Sequence, residues 1–126
     1  MAYKMSISKI LIVEDDIPTN RLFQFFLKSN FDGEIISAHD GYEAVEKCIE
    51  HQPELIFMDI NMPYKDGITA IQEIRTSGYT NPIVVISSYS DSTKKKCYDA
   101  GADAVITKPI AREDFLGLVK KFNGNA

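Results

Sequence analysis

The sequence predicts an α/β domain, a five-stranded parallel sheet with five helices spread over both faces. Three observations predict it. Five short apolar runs recur along the chain, rich in β-branched residues and without polar–apolar alternation, as suits strands buried on both faces. Between them, apolar residues return every three or four positions, the period of an amphipathic helix. The chain has 126 residues, which suits one domain with its own core. Right-handed crossovers between parallel strands then put helices on both sides.

The first run, KILIV at 9–13, stops at Glu14-Asp15-Asp16. A helix is predicted over 18–29, opened by Pro18, with Leu22, Phe23, Phe26 and Leu27 on its inward side. The second run, EIISA at 34–38, follows the turn pair Asp32-Gly33, and the helix after it spans 41–51 with Ala44, Val45, Cys48 and Ile49. The third run, ELIFM at 54–58, stops at Asp59, and a helix over 67–76 carries Ile68, Ile71 and Ile74. The fourth, PIVVIS at 82–87, leads into the least apolar helix, 91–100, which Asp91 or Ser92 is placed to cap and Gly101 to end. The fifth, DAVITK at 103–108, stops at Pro109, and the last helix, 111–122, carries Phe115, Leu116, Val119 and Phe122.

Composition narrows the function classes. Hydrophobic residues make up 44% and charged residues 25%, the proportions of an ordinary globular chain. The net charge of −4 argues against direct nucleic-acid binding, which wants Lys and Arg against phosphates. No apolar run approaches the roughly 20 residues of a membrane span, and MAYKMSISK holds no signal-peptide core, so a cytoplasmic location is expected. Cys48 and Cys97 lack metal spacing and are expected to pack as small apolar residues. Lys94, Lys95 and Lys96 are expected to form a solvated helical face.

Ligands of such sheets bind beyond the carboxyl ends of the strands. Those ends hold Glu14, Asp15 and Asp16 after strand 1, Asp59 after strand 3, Ser87 and Ser88 at strand 4, and Lys108 at strand 5. Two like charges about 4 Å apart repel by roughly 4 kcal/mol at an effective dielectric of 20. A cluster of acids therefore wants a cation, and Mg²⁺ suits a few carboxylates together with a phosphate. Asp59 is then a candidate carboxylate nucleophile toward phosphorus, with Lys108 and the Ser87 hydroxyl placed to offset charge on the transferred group.

The stretches ILIVEDD, IFMDINMPYKDG, PIVVISS and AGADAVITKPI, in this order and spacing, resemble the receiver domain of two-component response regulators over about residues 8–122. The resemblance implies a flavodoxin-like fold with strand order 2-1-3-4-5, the known order of that family. It implies that Asp59 takes a phosphoryl group from a phosphohistidine on a histidine kinase or histidine phosphotransfer protein. It implies Mg²⁺, or Mn²⁺, held by Glu14, Asp15, Asp59 and the main-chain carbonyl of Asn61, with Asp16 the other candidate in the acidic run. Ser87 resembles the switch hydroxyl and Lys108 the lysine that pairs with the phosphoryl group. The bond from Lys108 to Pro109 is commonly cis in the family.

Two positions tune this picture. Where many receivers carry Tyr, Phe or His three residues before the lysine, this chain has Val105, which has no ring to swing and points to relay or to another output route. Tyr89, two residues after Ser87, is expected to shield the phosphoryl group from water. Only NGNA follows residue 122, so no output domain is expected, and the chain is read as one receiver domain over 1–126. The opening MAYKMS favours a stand-alone regulator over a receiver cut from a hybrid histidine kinase.

Competing classes fit less well. An aspartate-nucleophile phosphatase of the haloacid dehalogenase type wants a second Asp where this chain has Asn61, and a flavin module wants a Ser-, Thr- or Gly-rich loop where this chain has EDDIPT. A degenerate receiver would not keep Asp59, Lys108 and the acidic pair together. The module is expected to modify itself and bind partners, not to turn over a substrate.

Overall fold

In the computed structural model the elements run β1 (Lys9–Val13), α1 (Ile17–Lys28), β2 (Glu34–Ala38), α2 (Gly41–His51), β3 (Leu55–Met58), α3 (Gly67–Thr76), β4 (Ile83–Ser87), α4 (Asp91–Ala100), β5 (Ala104–Thr107) and α5 (Arg112–Asn123). The structure describes residues 7–88 and 91–123, without the side chains of 91 and 92. All four strand pairings are parallel, and the sheet order is β2-β1-β3-β4-β5, as the resemblance implied.

Burial explains why the runs do not alternate. Every residue of β3 and β4 is buried, as are four of the five in β1. The outer strands β2 and β5 are only partly covered. Strand residues pointing one way (Leu11, Val13, Ile56, Met58, Ile83, Val85, Val105) pack with Cys48 of α2, Ile71 and Ile74 of α3 and Cys97 of α4. Those pointing the other way (Ile10, Ile12, Leu55, Phe57, Val84, Ile86) pack with Phe23 and Leu27 of α1 and Phe115 and Val119 of α5. Both cysteines are free and buried, and burial pushes both thiols up, that of Cys48 to about 11, so they serve as packing residues.

Local chemistry sets the helix ends. Asp16, Asp40 and Asp66 cap α1, α2 and α3, each accepting from the backbone N–H three residues on. Gly101, at φ +124°, ends α4, and its N–H bonds to the Cys97 carbonyl. The expected capping of α4 by Asp91 or Ser92 falls on side chains outside the described residues.

Two inward-facing assignments are corrected. Leu22 is 47% exposed and Ile49 54% exposed. The buried stripe of α1 is instead Asn20, Phe23 and Leu27, spaced i, i+3 and i+7. Leu22 lies one residue, or about 100° of helical turn, away from Phe23.

Candidate functional site

Register brings the acids together. Val13 is level with both Ala38 and Met58, so the residues that follow, Glu14 and Asp59, leave the sheet side by side. The Asp59 N–H donates to the Val13 carbonyl at 3.0 Å, and the Glu14 N–H to the Ala38 carbonyl at 3.0 Å. Both side chains are buried. Carboxylate oxygens of Glu14, Asp15 and Asp59 lie within 4.8 Å of one another. Asp16 is directed elsewhere: its carboxylate accepts from the Thr19 N–H and hydroxyl at the start of α1. The Thr19 hydroxyl and backbone bonds hold the Asp16 carboxyl below its usual range.

Donors also contact the Asp59 carboxylate. The Ser87 hydroxyl, at the end of β4, donates to Asp59 Oδ1 at 2.8 Å, and the Asn61 N–H reaches the same oxygen at 3.2 Å. Lys108 follows β5 and is anchored by its N–H to the Ser87 carbonyl at 3.1 Å. Its ammonium pairs with Glu14 Oε1 and lies 3.5 Å from Asp59 Oδ2. The Lys108–Pro109 peptide is cis. The Asn61 amide spans the mouth of the site, donating to the Ser88 carbonyl at 2.9 Å and to the Ser87 hydroxyl at 3.3 Å. The side-chain bond to Ser88 joins residues 27 apart and leaves no local trace in the sequence.

Charge balance follows from this geometry. Burial pushes the Glu14 carboxyl up to about 7, with the Asp59 charge adding to it, against the opposing bonds from Lys108 and the Asp16 N–H. Burial alone would lower the Lys108 ammonium, but its bond to Glu14 and the charges of Asp59 and Glu14 outweigh this and raise it. One ammonium thus faces two buried carboxylates, with a third acid beside them. A group of three carboxylates and main-chain oxygens is the donor set of a hard divalent cation.

The loop from Asp59 to α3 is tied down by main-chain bonds. The Gly67 N–H donates to the Ile60 carbonyl at 3.1 Å, and the Gly41 N–H of α2 to the Lys65 carbonyl at 3.1 Å. The Lys65 ammonium pairs with Glu73 and sits 4.4 Å from the centre of the Tyr42 ring. Tyr64 turns the chain with φ +70°. Val105 is buried beneath α4, level with Val85 of β4, so the position expected to carry a swinging ring is a packing residue. Tyr89 lies outside the described residues.

The model of the response regulator receiver domain matches residues 10–120. The chain belongs to the response regulator receiver domains. Among solved structures, a chain of the CheX–CheY–BeF3–Mg complex from Borrelia burgdorferi is 31% identical, with TM-score 0.83 over 90% of this chain and 87% of that one. The response regulator domain of Thermotoga maritima CheB is 27% identical, with TM-score 0.84 over 95% and 98% of the two chains. Vibrio cholerae chemotaxis protein CheY4 is 25% identical, with TM-score 0.85 over 93% and 99%.

This receiver is a phosphoacceptor signalling module of two-component systems. Receivers bind Mg²⁺ at an acidic cluster and interact with histidine kinases or phosphotransfer proteins, and the fold here supplies such a cluster in Glu14, Asp15 and Asp59. No helix among the described residues is long and apolar enough to cross a membrane.

Proposed function

We propose that Asp59 is the phosphoacceptor of this receiver and takes its phosphoryl group from a phosphohistidine on a histidine kinase or histidine phosphotransfer protein. The observation that carries this reading is the position of Asp59. It is a buried carboxylate at a strand end, contacted by a hydroxyl, an N–H and an ammonium, with two further acids beside it. A carboxylate oxygen of Asp59 attacks phosphorus, the P–N bond breaks, and the imidazole leaves with the electron pair and is protonated. The product is an acyl phosphate. Water attack on phosphorus later returns the carboxylate and inorganic phosphate, so the chain modifies itself and turns over no separate substrate.

Glu14, Asp15, Asp59 and the Asn61 main-chain carbonyl would hold Mg²⁺, with Mn²⁺ a substitute. When bound, the ion supplies positive charge that offsets the oxygens of the phosphoryl group. Lys108, which pairs with Glu14 and lies 3.5 Å from Asp59 Oδ2, does the same, and the Ser87 hydroxyl, now bonded to Asp59, turns to a phosphoryl oxygen. The added phosphoryl group brings about −1.5 to −2 charges to this edge of the sheet. Ser87 and Lys108 follow it, and β4, β5 and the segments after them shift between two populations. With Val105 packed under α4, no ring on β5 takes part. The phosphorylated form then changes partner binding or passes the group on. Tyr89 shields the acyl phosphate from water.

The test is intact mass after incubation with acetyl phosphate, with and without Mg²⁺, for the wild type and Asp59→Asn. A single phosphoryl adduct that needs both Asp59 and Mg²⁺ is expected, with faster decay of that adduct in Tyr89→Ala. An adduct that persists in Asp59→Asn would reassign the acceptor, and an unchanged lifetime in Tyr89→Ala would remove the shielding role.

A further inference from the structure

Asn20 sits on the inward face of α1 with Phe23 and Leu27, and only 1% of it is exposed. An apolar residue would pack in this stripe without needing partners, whereas a buried amide is costly unless all its polar atoms are bonded. Here they are. Nδ2 donates to the Glu14 carbonyl at 3.1 Å, and Oδ1 accepts from the Ser37 hydroxyl at 2.9 Å and from Gln24 Nε2 at 2.7 Å. The amide therefore joins α1, the end of β2 and the chain just past β1.

The bond to Glu14 completes a set. The Glu14 N–H is taken by Ala38, Oε2 accepts from the Asp16 N–H, and Oε1 accepts from Lys108. The main-chain carbonyl is the remaining polar atom, and Asn20 holds it. We propose that Asn20 is a positioning residue for the cation site: by fixing the main chain at Glu14, it keeps that carboxylate turned toward Asp59 despite their repulsion. This rests on the reading of Glu14 as a cation ligand. Without the bond, residue 14 can rotate and relieve the repulsion when no cation is present. Binding must then restore the geometry at a cost in affinity. Ser37 and Gln24 brace the amide from the other end.

The test is the Mg²⁺ dissociation constant of the unphosphorylated chain, by titration calorimetry at one pH, beside the urea midpoint. The variants are Asn20→Leu and Ser37→Ala, with Asn20→Ala in place of the leucine variant should that one not fold. Loss of the Asn20 amide is expected to weaken Mg²⁺ binding about tenfold, the usual scale for a group that orients a ligand. Ser37→Ala keeps the bond to Glu14, so it is expected to lower the urea midpoint while leaving Mg²⁺ affinity near that of the wild type. Wild-type affinity in the folded Asn20 variant overturns the proposal, as does an equal loss in Ser37→Ala, which makes the network merely structural. A wild type that binds no Mg²⁺ overturns the reading of the cation site itself, and this inference with it.

Discussion

Within the acidic cluster, burial changes the chemistry of Glu14. Its carboxyl ordinarily titrates near 4.5 and is pushed up to about 7 in the folded chain, chiefly by burial. Between those values the folded chain binds a proton that the unfolded chain has released, so stability falls as pH rises through this interval. Lys108 contributes no slope there, because it is raised from 10.5 and stays charged throughout. Without divalent ions, the urea midpoint is expected to be higher at pH 5.5 than at pH 8, and Glu14→Gln to flatten that difference. An equal slope in wild type and variant would assign the dependence to other groups. Mg²⁺ is expected to offset the loss at pH 8, since a bound cation stabilises the folded state alone.

The loop between β3 and α3 shows how an element's start is constrained by the site it borders. A Cβ built on Gly67 would lie 2.3 Å from the Asp59 carbonyl oxygen and 2.6 Å from the Ile60 Cα. Both are backbone atoms and cannot swing aside. Glycine is therefore required by close approach of α3 to the Asp59 main chain, not by an unusual φ. Gly67→Ala is expected to cost about 1–3 kcal/mol in urea unfolding and to slow adduct formation with acetyl phosphate by displacing Asp59. Unchanged kinetics would mean the shift is absorbed within α3. The far end of α3 is tied down too: the Arg75 guanidinium donates to the carbonyls of Gly101, Tyr79 and Asn81 and pairs with Asp103. The loop after Asp59 thus leads into a helix held at both ends.

Across the whole molecule, the sheet separates two packed layers, and they differ in character. The layer under α2, α3 and α4 is built mainly from small and aliphatic residues, with Tyr79 its aromatic member. The layer under α1 and α5 centres on Phe115, stacked 4.4 Å from Phe57 and 5.0 Å from Phe23 between ring centroids. Phe115 therefore joins α5, β3 and α1, and β3 is the strand that presents Asp59. Phe115→Ala is expected to cost about 3–5 kcal/mol, read as a lower urea midpoint. A loss under 1 kcal/mol would mean that the layer collapses to fill the space.

Strand positions, helix spans and the polar ends of four strands were legible in the residues because each rests on a local pattern. β-branched runs bury on both faces, helical periods bury one side, and Asp59 stands out by interrupting an apolar run. Asp15 and Asp16 could not be separated this way, since both are acids past the same strand. The fold divides them by letting Asp16 cap α1 through Thr19 while an Asp15 oxygen joins Glu14 and Asp59. Leu22 was likewise opposite to expectation, because hydropathy favours burying leucine, whereas helix phase turns it outward and a full set of bonds across three elements buries the Asn20 amide. Periodicity and residue type determine which elements form and which chemistry they carry. Register, helix phase and long-range hydrogen bonds decide which of those groups meet, because a contact between residues distant in sequence exists only once the chain has folded.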